Sequence, residues 1–182
     1  MKDDGFWDDS GNLQKCIFSK VLAGKIPQPD FQAAEQASLG EKLGSRYMIA
    51  ANAPELDAHW NDGSEEWRGK ASMSKRHRFL LIKPKAESSR CWFNVLVYGM
   101  HNNVKPAIEV LEEMKRAALQ MTSTCGWSNN IGLFLVMYGH TTCTSPLHIV
   151  DLDCSGPSYE ALRFKLLRLD DVIQVLRSTP VL

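Results

Sequence analysis

One long amphipathic segment constrains the fold of this chain more than any other feature of its sequence. Across residues 104–121, apolar side chains recur at helical spacing, and Pro106 falls within the first turn, where proline is tolerated. Asn102 or Asn103 precedes the segment as a candidate N-cap. The apolar stripe comprises Val104, Ala107, Ile108, Leu111, Met114, Ala118 and Met121. The segment therefore predicts a helix that packs one face on a core.

Strand-type segments lie on both sides of this helix and do not alternate regularly with other helices. The predicted strands cover residues 30–36, 46–51, 77–82, 131–138, 146–153 and 161–167. The segment 91–98 is compatible either with a further strand or with the start of a helix. Because the strands are not separated by regular helices, the pattern predicts an α+β fold with a mainly antiparallel sheet.

One or two shorter helices and one long loop complete the predicted organisation. Residues 13–23 show helical spacing before Gly24, and Asp170 precedes a short amphipathic stretch that ends near Leu176. We expect residues 1–12 to form an acidic tail that docks through its two aromatic residues, and residues 13–182 to form one domain. The polar stretch 52–74 is predicted to be a long loop or insertion.

Composition excludes several classes of protein. Hydrophobic residues make up 44% of the 182 positions, which is enough to build a core and argues against a disordered chain. Lys plus Arg and Asp plus Glu number 21 each, so the basic excess typical of nucleic-acid binders is missing. No stretch approaches the ~18–20 apolar residues of a membrane span.

Cysteine usage and the N-terminal sequence point to the cytoplasm. The five cysteines are scattered, odd in number and include no CxxC pair, so neither a disulfide framework nor a structural zinc site is expected. The opening MKDDGFWDDSG is acidic and has no apolar core, unlike a secretory signal.

A basic cluster surrounds one strand-type segment. Lys75, Arg76, His77 and Arg78 are consecutive, and Lys83 and Lys85 follow the strand. The cluster is either a solvated face or a site for a phosphate or another anion.

Three segments together resemble the histidine triad (HIT) proteins. KCIFSKVLAGKIP resembles their opening, HRFLLIKPK resembles their H-x-L-V-I-P-K strand, and LRFKLLRLDDVIQVL resembles the closing strand and helix of the longer HIT-like branch. The resemblance implies a sheet of about five antiparallel strands, with helices mainly on one face. It also implies a homodimer formed through the long helix, and chemistry at a nucleoside phosphate.

The catalytic motif of that family is missing here. The family pattern S-V-x-H-φ-H-φ-H-φ, with φ an apolar residue, corresponds to TSPLHIVDLD. Matching Ser145 to the family serine places His148 at the first histidine, Val150 at the nucleophile and Leu152 at the third histidine. A slip by one residue loses all three histidines. Because valine and isoleucine offer no lone pair for attack on phosphorus, we expect no catalytic residue and no turnover.

Three residues remain candidates for ligand binding. His77 matches the family histidine before the apolar strand, Ser145 matches the phosphate-binding serine, and His148 matches the first histidine. His77 could instead be a surface residue at the start of a strand, and His148 a strand histidine that bonds to a backbone carbonyl. Ser145 could belong to a simple Ser-Pro turn. Asp151 and Asp153 are expected to weaken phosphate binding by charge repulsion.

Other candidate sites in the sequence lack part of their usual pattern. The family's opening can carry a second cysteine that helps to bind zinc, and Ser19 stands there. A zinc site from His140, Cys143, His148 and Cys154 lacks the usual spacing. Cys143 beside His140 or His148 would form a nucleophile–base pair without an orienting third group.

The resulting hypothesis is a HIT-like protein that binds a nucleotide or a phosphate-bearing small molecule without turnover, needs no metal or other cofactor, and forms a homodimer. One alternative is a hydrolase or transferase with altered chemistry in the same cleft. The other is a structural or protein-interaction module that uses Trp60 and Trp67 of the long loop as its contact surface.

Overall fold

In the part of the chain that the structure describes, five strands form one antiparallel sheet. The computed structural model describes residues 17–22, 24–83, 104–136 and 146–178. The strands are β1 (Tyr47–Ala51), β2 (His77–Ile82), β3 (Ile131–Val136), β4 (Leu147–Asp151) and β5 (Leu166–Arg168). Their order across the sheet is β1-β2-β4-β3-β5, and each neighbouring pair is antiparallel. The predicted α+β class and antiparallel sheet are therefore confirmed.

Helices flank the sheet, and one of them is much longer than the rest. The helices are α1 (Ile17–Leu22), α2 (Asp30–Ala37), α3 (Gly40–Arg46), α4 (Pro54–Ala58), α5 (Val104–Thr124), α6 (Pro157–Leu162) and α7 (Leu169–Ser178). Two 3₁₀ turns cover Leu152–Cys154 and Arg163–Lys165. None of the helices in the described ranges is both long and apolar enough to cross a bilayer.

The long helix α5 covers one face of the sheet, as its apolar stripe predicts. Leu111, Met114 and Met121 are fully buried and pack with Leu80 and Ile149 of the two central strands. Helix α7 packs against the same cluster through Leu169, Ile173 and Leu176. This two-layer core fixes which side chains of β2 and β4 point away from α5, because successive strand residues alternate between faces.

The opposite face carries two smaller clusters. Phe18 and Val21 of α1 pack on Ala50, Phe79 and Leu81. Met73, Phe134 and Val150 form the second cluster, farther along the sheet. The candidate histidines lie on this face.

Glutamine side chains, rather than another strand, cover the outer edge of β1. The Gln36 amide accepts from the Ile49 N–H at 2.8 Å and donates to the Tyr47 carbonyl at 3.1 Å. The Gln32 amide donates to the Ile49 carbonyl, and Gln28 accepts from the Ala51 N–H at 3.0 Å. These bonds satisfy backbone groups that would otherwise offer an open edge for strand pairing.

The stretch 52–74 is compact and is hydrogen-bonded to residues that follow β4. It contains the short helix α4 and a series of turns. The Gly156 N–H donates to the Met73 carbonyl at 2.9 Å, and the Gly69 N–H donates to the Ser158 hydroxyl at 3.0 Å. A Cβ at Gly156 would overlap the Trp60 carbonyl oxygen, so only glycine fits at this approach.

Several predicted elements differ from the structure. Residues 30–36 form helix α2 instead of a strand, because their glutamines bond to β1 as described above. Within 161–167, helix α6 and a 3₁₀ turn occupy most of the segment, and only the end belongs to β5. The prediction of one or two short helices is wrong, because six short helices accompany α5 in the described residues. The predicted strand 146–153 ends at Asp151 in a 3₁₀ turn.

Other predictions fall on positions outside the described residues. These are the tail 1–12, the first residues of the 13–23 helix, the segment 91–98 and the caps Asn102 and Asn103.

Candidate functional site

The central strands β2 and β4 bring two of the three candidate residues together. In their register Phe79 lies opposite His148, and His77 lies opposite Val150. Directly paired residues share a face, so these four side chains are neighbours on the face away from α5. His77 Nε2 lies 3.1 Å from His148 Nδ1, and we call these two residues the histidine pair.

Phe79 packs against both rings of the histidine pair. Its ring centroid lies 4.8 Å from that of His77 and 4.9 Å from that of His148. His77 is only 4% exposed, whereas His148 is half-buried. His148 is therefore the more solvent-exposed residue of the histidine pair.

Two N–H groups point at the other nitrogen of His77 and fix its tautomer. The backbone N–H of Met73 donates to His77 Nδ1 at 3.3 Å, and Asn52 Nδ2 lies 3.0 Å from the same atom. A backbone amide can only donate, so Nδ1 must be an acceptor and the proton must lie on Nε2. His77 Nε2–H then donates to His148 Nδ1, which places the proton of the neutral His148 ring on its Nε2.

Burial keeps His77 neutral. Desolvation lowers the pKa of His77 well below its usual value, and the neighbouring His148 and Arg78 lower it further. A neutral His77 is what the hydrogen-bond pattern requires, because an imidazolium would carry an N–H on both nitrogens.

A chain of polar side chains supports Asn52 from behind. Asn52 Nδ2 donates to the Ser72 hydroxyl at 2.6 Å, and Ser72 donates to the Asp57 carboxylate. Arg78 Nη1 lies 3.6 Å from Asp57, and Arg78 Nε donates to both oxygens of Glu35 at 2.7 and 3.0 Å. These hydrogen-bonded side chains thus connect α2, α4, β2 and the histidine pair.

The buried ionisable groups among these hydrogen-bonded side chains are strongly desolvated. Burial raises the pKa of Glu35, and the Arg78 guanidinium opposes that shift. Burial likewise raises the pKa of Asp57, where the Ser72 hydroxyl and Arg78 act in the opposite sense. The side chain of Arg78 is only 9% exposed, so Arg78 is an internal ion and not part of a solvated basic face.

The nucleophile position of the family pattern is part of the core. Val150 is 0% exposed and packs with Met73 and Phe134. Its aliphatic side chain offers no lone pair. Histidine-based attack on phosphorus has no reacting group at this position.

Asp151 lies away from the histidine pair. As the residue after Val150 in β4, it points to the face of α5, and it is 1% exposed. It accepts from the Ser128 hydroxyl at 2.6 Å and from Arg76 Nη1 at 3.3 Å. Burial acts to raise the pKa of Asp151, but hydrogen bonds from Ser128, the Asp153 N–H and Arg76 lower it overall. The expectation that Asp151 lies beside the candidate phosphate pocket is therefore wrong, and its carboxylate is paired with Arg76.

The described members of the basic cluster do not form one cationic surface. His77 and Arg78 are buried, Arg76 pairs with Asp151, and the Lys83 ammonium donates to the Gly44 carbonyl at 2.5 Å. Lys75 is exposed. Lys85 is outside the described residues.

The other candidates are placed only in part. Ser145, His140 and Cys143 are outside the described residues, and Cys154 is a half-buried thiol 3.4 Å from the Ser74 hydroxyl. Across 17–22, 24–83, 104–136 and 146–178, no group of three or more His, Cys, Asp or Glu could hold a metal ion.

The tryptophans of the 52–74 stretch are half-buried. The Trp67 ring stacks on His59 with centroids 3.9 Å apart and an interplanar angle of 3°. The Trp67 carbonyl accepts from Ser158 at 3.2 Å. The stretch is therefore packed against the domain, and its role as a contact surface stays a prediction.

A cavity of about 780 Å³ lies elsewhere, between β3, β5 and α7. Leu133, Leu167, Val172 and Val175 are among its lining residues, and neither member of the histidine pair lines it. Size alone does not connect this cavity with the candidate chemistry, so we place the site at the histidine pair.

Sequence reasoning missed the polar chain behind the pair. Asn52, Asp57 and Ser72 belong to a stretch without periodicity, and Glu35 lies in a segment predicted to be a strand. The one usable signal was the polar residue Asn52 directly after an apolar strand, a common position for functional side chains.

No protein-family model matches this chain, and no curated protein matches it.

Proposed function

We propose that this chain is a HIT-like protein that binds a nucleotide or another phosphate-bearing small molecule at the histidine pair and does not turn it over. The observation that carries the proposal is the hydrogen bond of 3.1 Å between His77 Nε2 and His148 Nδ1, with two further donors on His77 Nδ1.

Neither histidine is arranged as a nucleophile. His77 uses one nitrogen to accept from Met73 and Asn52 and the other to donate to His148. His148 uses Nδ1 to accept, and its Nε2 carries the proton, so its lone pair is not available for attack. Val150 supplies no lone pair either.

His148 is instead arranged as a hydrogen-bond donor. Because His148 Nδ1 already accepts from the His77 N–H, the proton that this half-buried ring can donate lies on Nε2. Phosphate oxygens are strong acceptors for such a group, and a bond to a charged acceptor stabilises a complex by about 1.5–3 kcal/mol.

The order of elements supports the HIT-like assignment. Helix α1, strand β2, the long helix α5, strand β4 and the pair β5–α7 follow one another as the resembling segments do. The five-stranded antiparallel sheet agrees with the fold that the resemblance implies. A homodimer that uses α5 belongs to the same proposal.

Calorimetric titration with AMP, and with GMP in parallel, tests the proposal. We expect saturable binding to the wild type in the micromolar range, about −8 kcal/mol. H148A should weaken binding at least tenfold, whereas H148Q, which keeps an N–H donor at the end of the side chain, should retain more of it.

The matched control is H59A. His59 is also a half-buried histidine, but its contacts are with Trp67 and Asp62 and not with the pair. Equal loss of AMP binding in H59A and H148A, or no heat from wild type at millimolar ligand, would overturn the proposal.

A further inference from the structure

Asn52 stands directly after β1, and its amide bridges two parts of the site. Its Nδ2 lies 2.6 Å from the Ser72 hydroxyl and 3.0 Å from His77 Nδ1. An amide nitrogen has two protons, so it can serve both acceptors at once. Ser72 in turn donates to Asp57, which leaves the serine oxygen to accept from Asn52.

The orientation of this amide has an independent check. Met73 N–H points at the same His77 nitrogen at 3.3 Å, and a backbone N–H has no alternative orientation. Since His77 Nδ1 must accept from Met73, an amide oxygen of Asn52 beside it would place two acceptors together. The amide nitrogen is therefore the end of Asn52 that faces His77.

We infer that Asn52 is a positioning residue that holds the proton of His77 on Nε2, and thereby makes His148 a donor at the site. It acts through His77, and Ser72 and Asp57 hold it in place.

A carboxylate at this position would have the opposite effect. An aspartate accepts only, so it would favour a proton on His77 Nδ1 and would compete with Met73 N–H for that side of the ring. Charge-assisted hydrogen bonds are about twice as strong as neutral ones, so the carboxylate should win. An imidazole held by a carboxylate takes its tautomer from that bond.

Nitrogen NMR of the two histidine rings tests this inference without any ligand. In the wild type at neutral pH, His77 Nδ1 should show the chemical shift of a ring nitrogen without a proton, and His77 Nε2 that of a protonated one. In N52D, Nδ1 of His77 should gain a proton, either by tautomer exchange or by formation of an imidazolium. Circular dichroism checks that the variant is folded.

The matched control is N52A. It removes the amide but leaves Met73 N–H in place, so the signal of His77 Nδ1 should move only part of the way toward that of a protonated nitrogen, and a signal unchanged from the wild type would overturn the role of Asn52. A role limited to packing would make N52A and N52D alike in the NMR measurement. A proton on His77 Nδ1 in the wild type would overturn the inference, and so would the absence of that proton in folded N52D. The wild-type measurement remains a test even if N52D does not fold.

The consequence for ligand binding rests on the proposed function. Where AMP binds the wild type, N52D should bind it about tenfold more weakly, equal to 1.4 kcal/mol, and N52A should lose less. The proposed function and the role of Asn52 can fail separately. If the tautomers are as inferred but AMP does not bind, only the proposed function is rejected. AMP binding with an Nδ1 proton on wild-type His77 would reject the role of Asn52.

Discussion

At the scale of single residues, the burial of His77 makes the free energy of unfolding sensitive to acid. Its pKa is lowered in the folded state, so the unfolded chain takes up a proton that the folded chain does not. The contribution is complete above the unfolded pKa of about 6.5 and is lost as the pH falls below it. Urea unfolding at pH 7 and pH 5 should show a loss of about 2 kcal/mol from this residue.

The variant H77Q isolates this contribution. Its free energy of unfolding should fall less between the two pH values than that of the wild type. Glu35 and Asp57 act in the opposite sense, since their raised pKa values favour the folded state on acidification. An H77Q profile parallel to the wild type would contradict the buried, neutral His77.

The histidine pair could be predicted only in part. His77 and His148 could be identified as candidates from their place in apolar strands. Their contact depends on the register between β2 and β4, and 64 residues lie between these strands in the sequence. The support from Asn52 could not be predicted, because a polar residue in an aperiodic stretch has no pattern that names its partner.

The internal ion Arg78 makes a second prediction at this scale. R78M leaves the carboxylates of Glu35 and Asp57 without their cation and should cost about 3–5 kcal/mol in the free energy of unfolding. The control R163M breaks an exposed pair with Glu160, at 3.6 Å, and should cost less than about 1 kcal/mol. Similar midpoints in urea for the two variants would contradict an internal Arg78.

At the scale of elements, periodicity predicts well where it is long. Helix α5 was predictable because its stripe repeats over many turns against one sheet face. Helix α2 was not, because its decisive contacts are the amides of Gln32 and Gln36 on the backbone of β1, and hydrophobic patterning does not record such bonds. The segment 161–167 is too short for its alternation to distinguish a strand from a helix followed by a 3₁₀ turn.

The glutamine edge of β1 can be tested with one substitution. Q36A leaves the Tyr47 carbonyl and the Ile49 N–H without their partner and should cost about 1–3 kcal/mol. Q174A, at an exposed position of α7, is the control and should stay within about 0.5 kcal/mol of the wild type in urea unfolding. Equal stability of Q36A and Q174A would show that the edge does not depend on this amide.

At the scale of the whole molecule, the fold class followed from the order of segments, whereas the packing of 52–74 did not. That stretch has few apolar residues, and hydrogen bonds to Gly156 and Ser158 hold it in place. The class depends on patterning that is spread along the chain. The site depends on a few contacts between distant segments, and one sequence does not show which segments meet.

The proposed homodimer is a prediction at this scale. Size-exclusion chromatography with light scattering should give about twice the chain mass of 20.5 kDa. A mass near that of one chain, unchanged at high protein concentration, would contradict the dimer.

The most direct measurement of binding without turnover is phosphorus NMR of adenosine phosphoramidate mixed with the protein. One sample reports both events, because binding broadens or shifts the ligand signal and turnover produces a new AMP signal. Binding without turnover predicts broadening with the wild type, much less with H148A, and no AMP above a heat-killed control. An AMP signal that grows in proportion to the protein, or a ligand signal unchanged by the wild type, would contradict it.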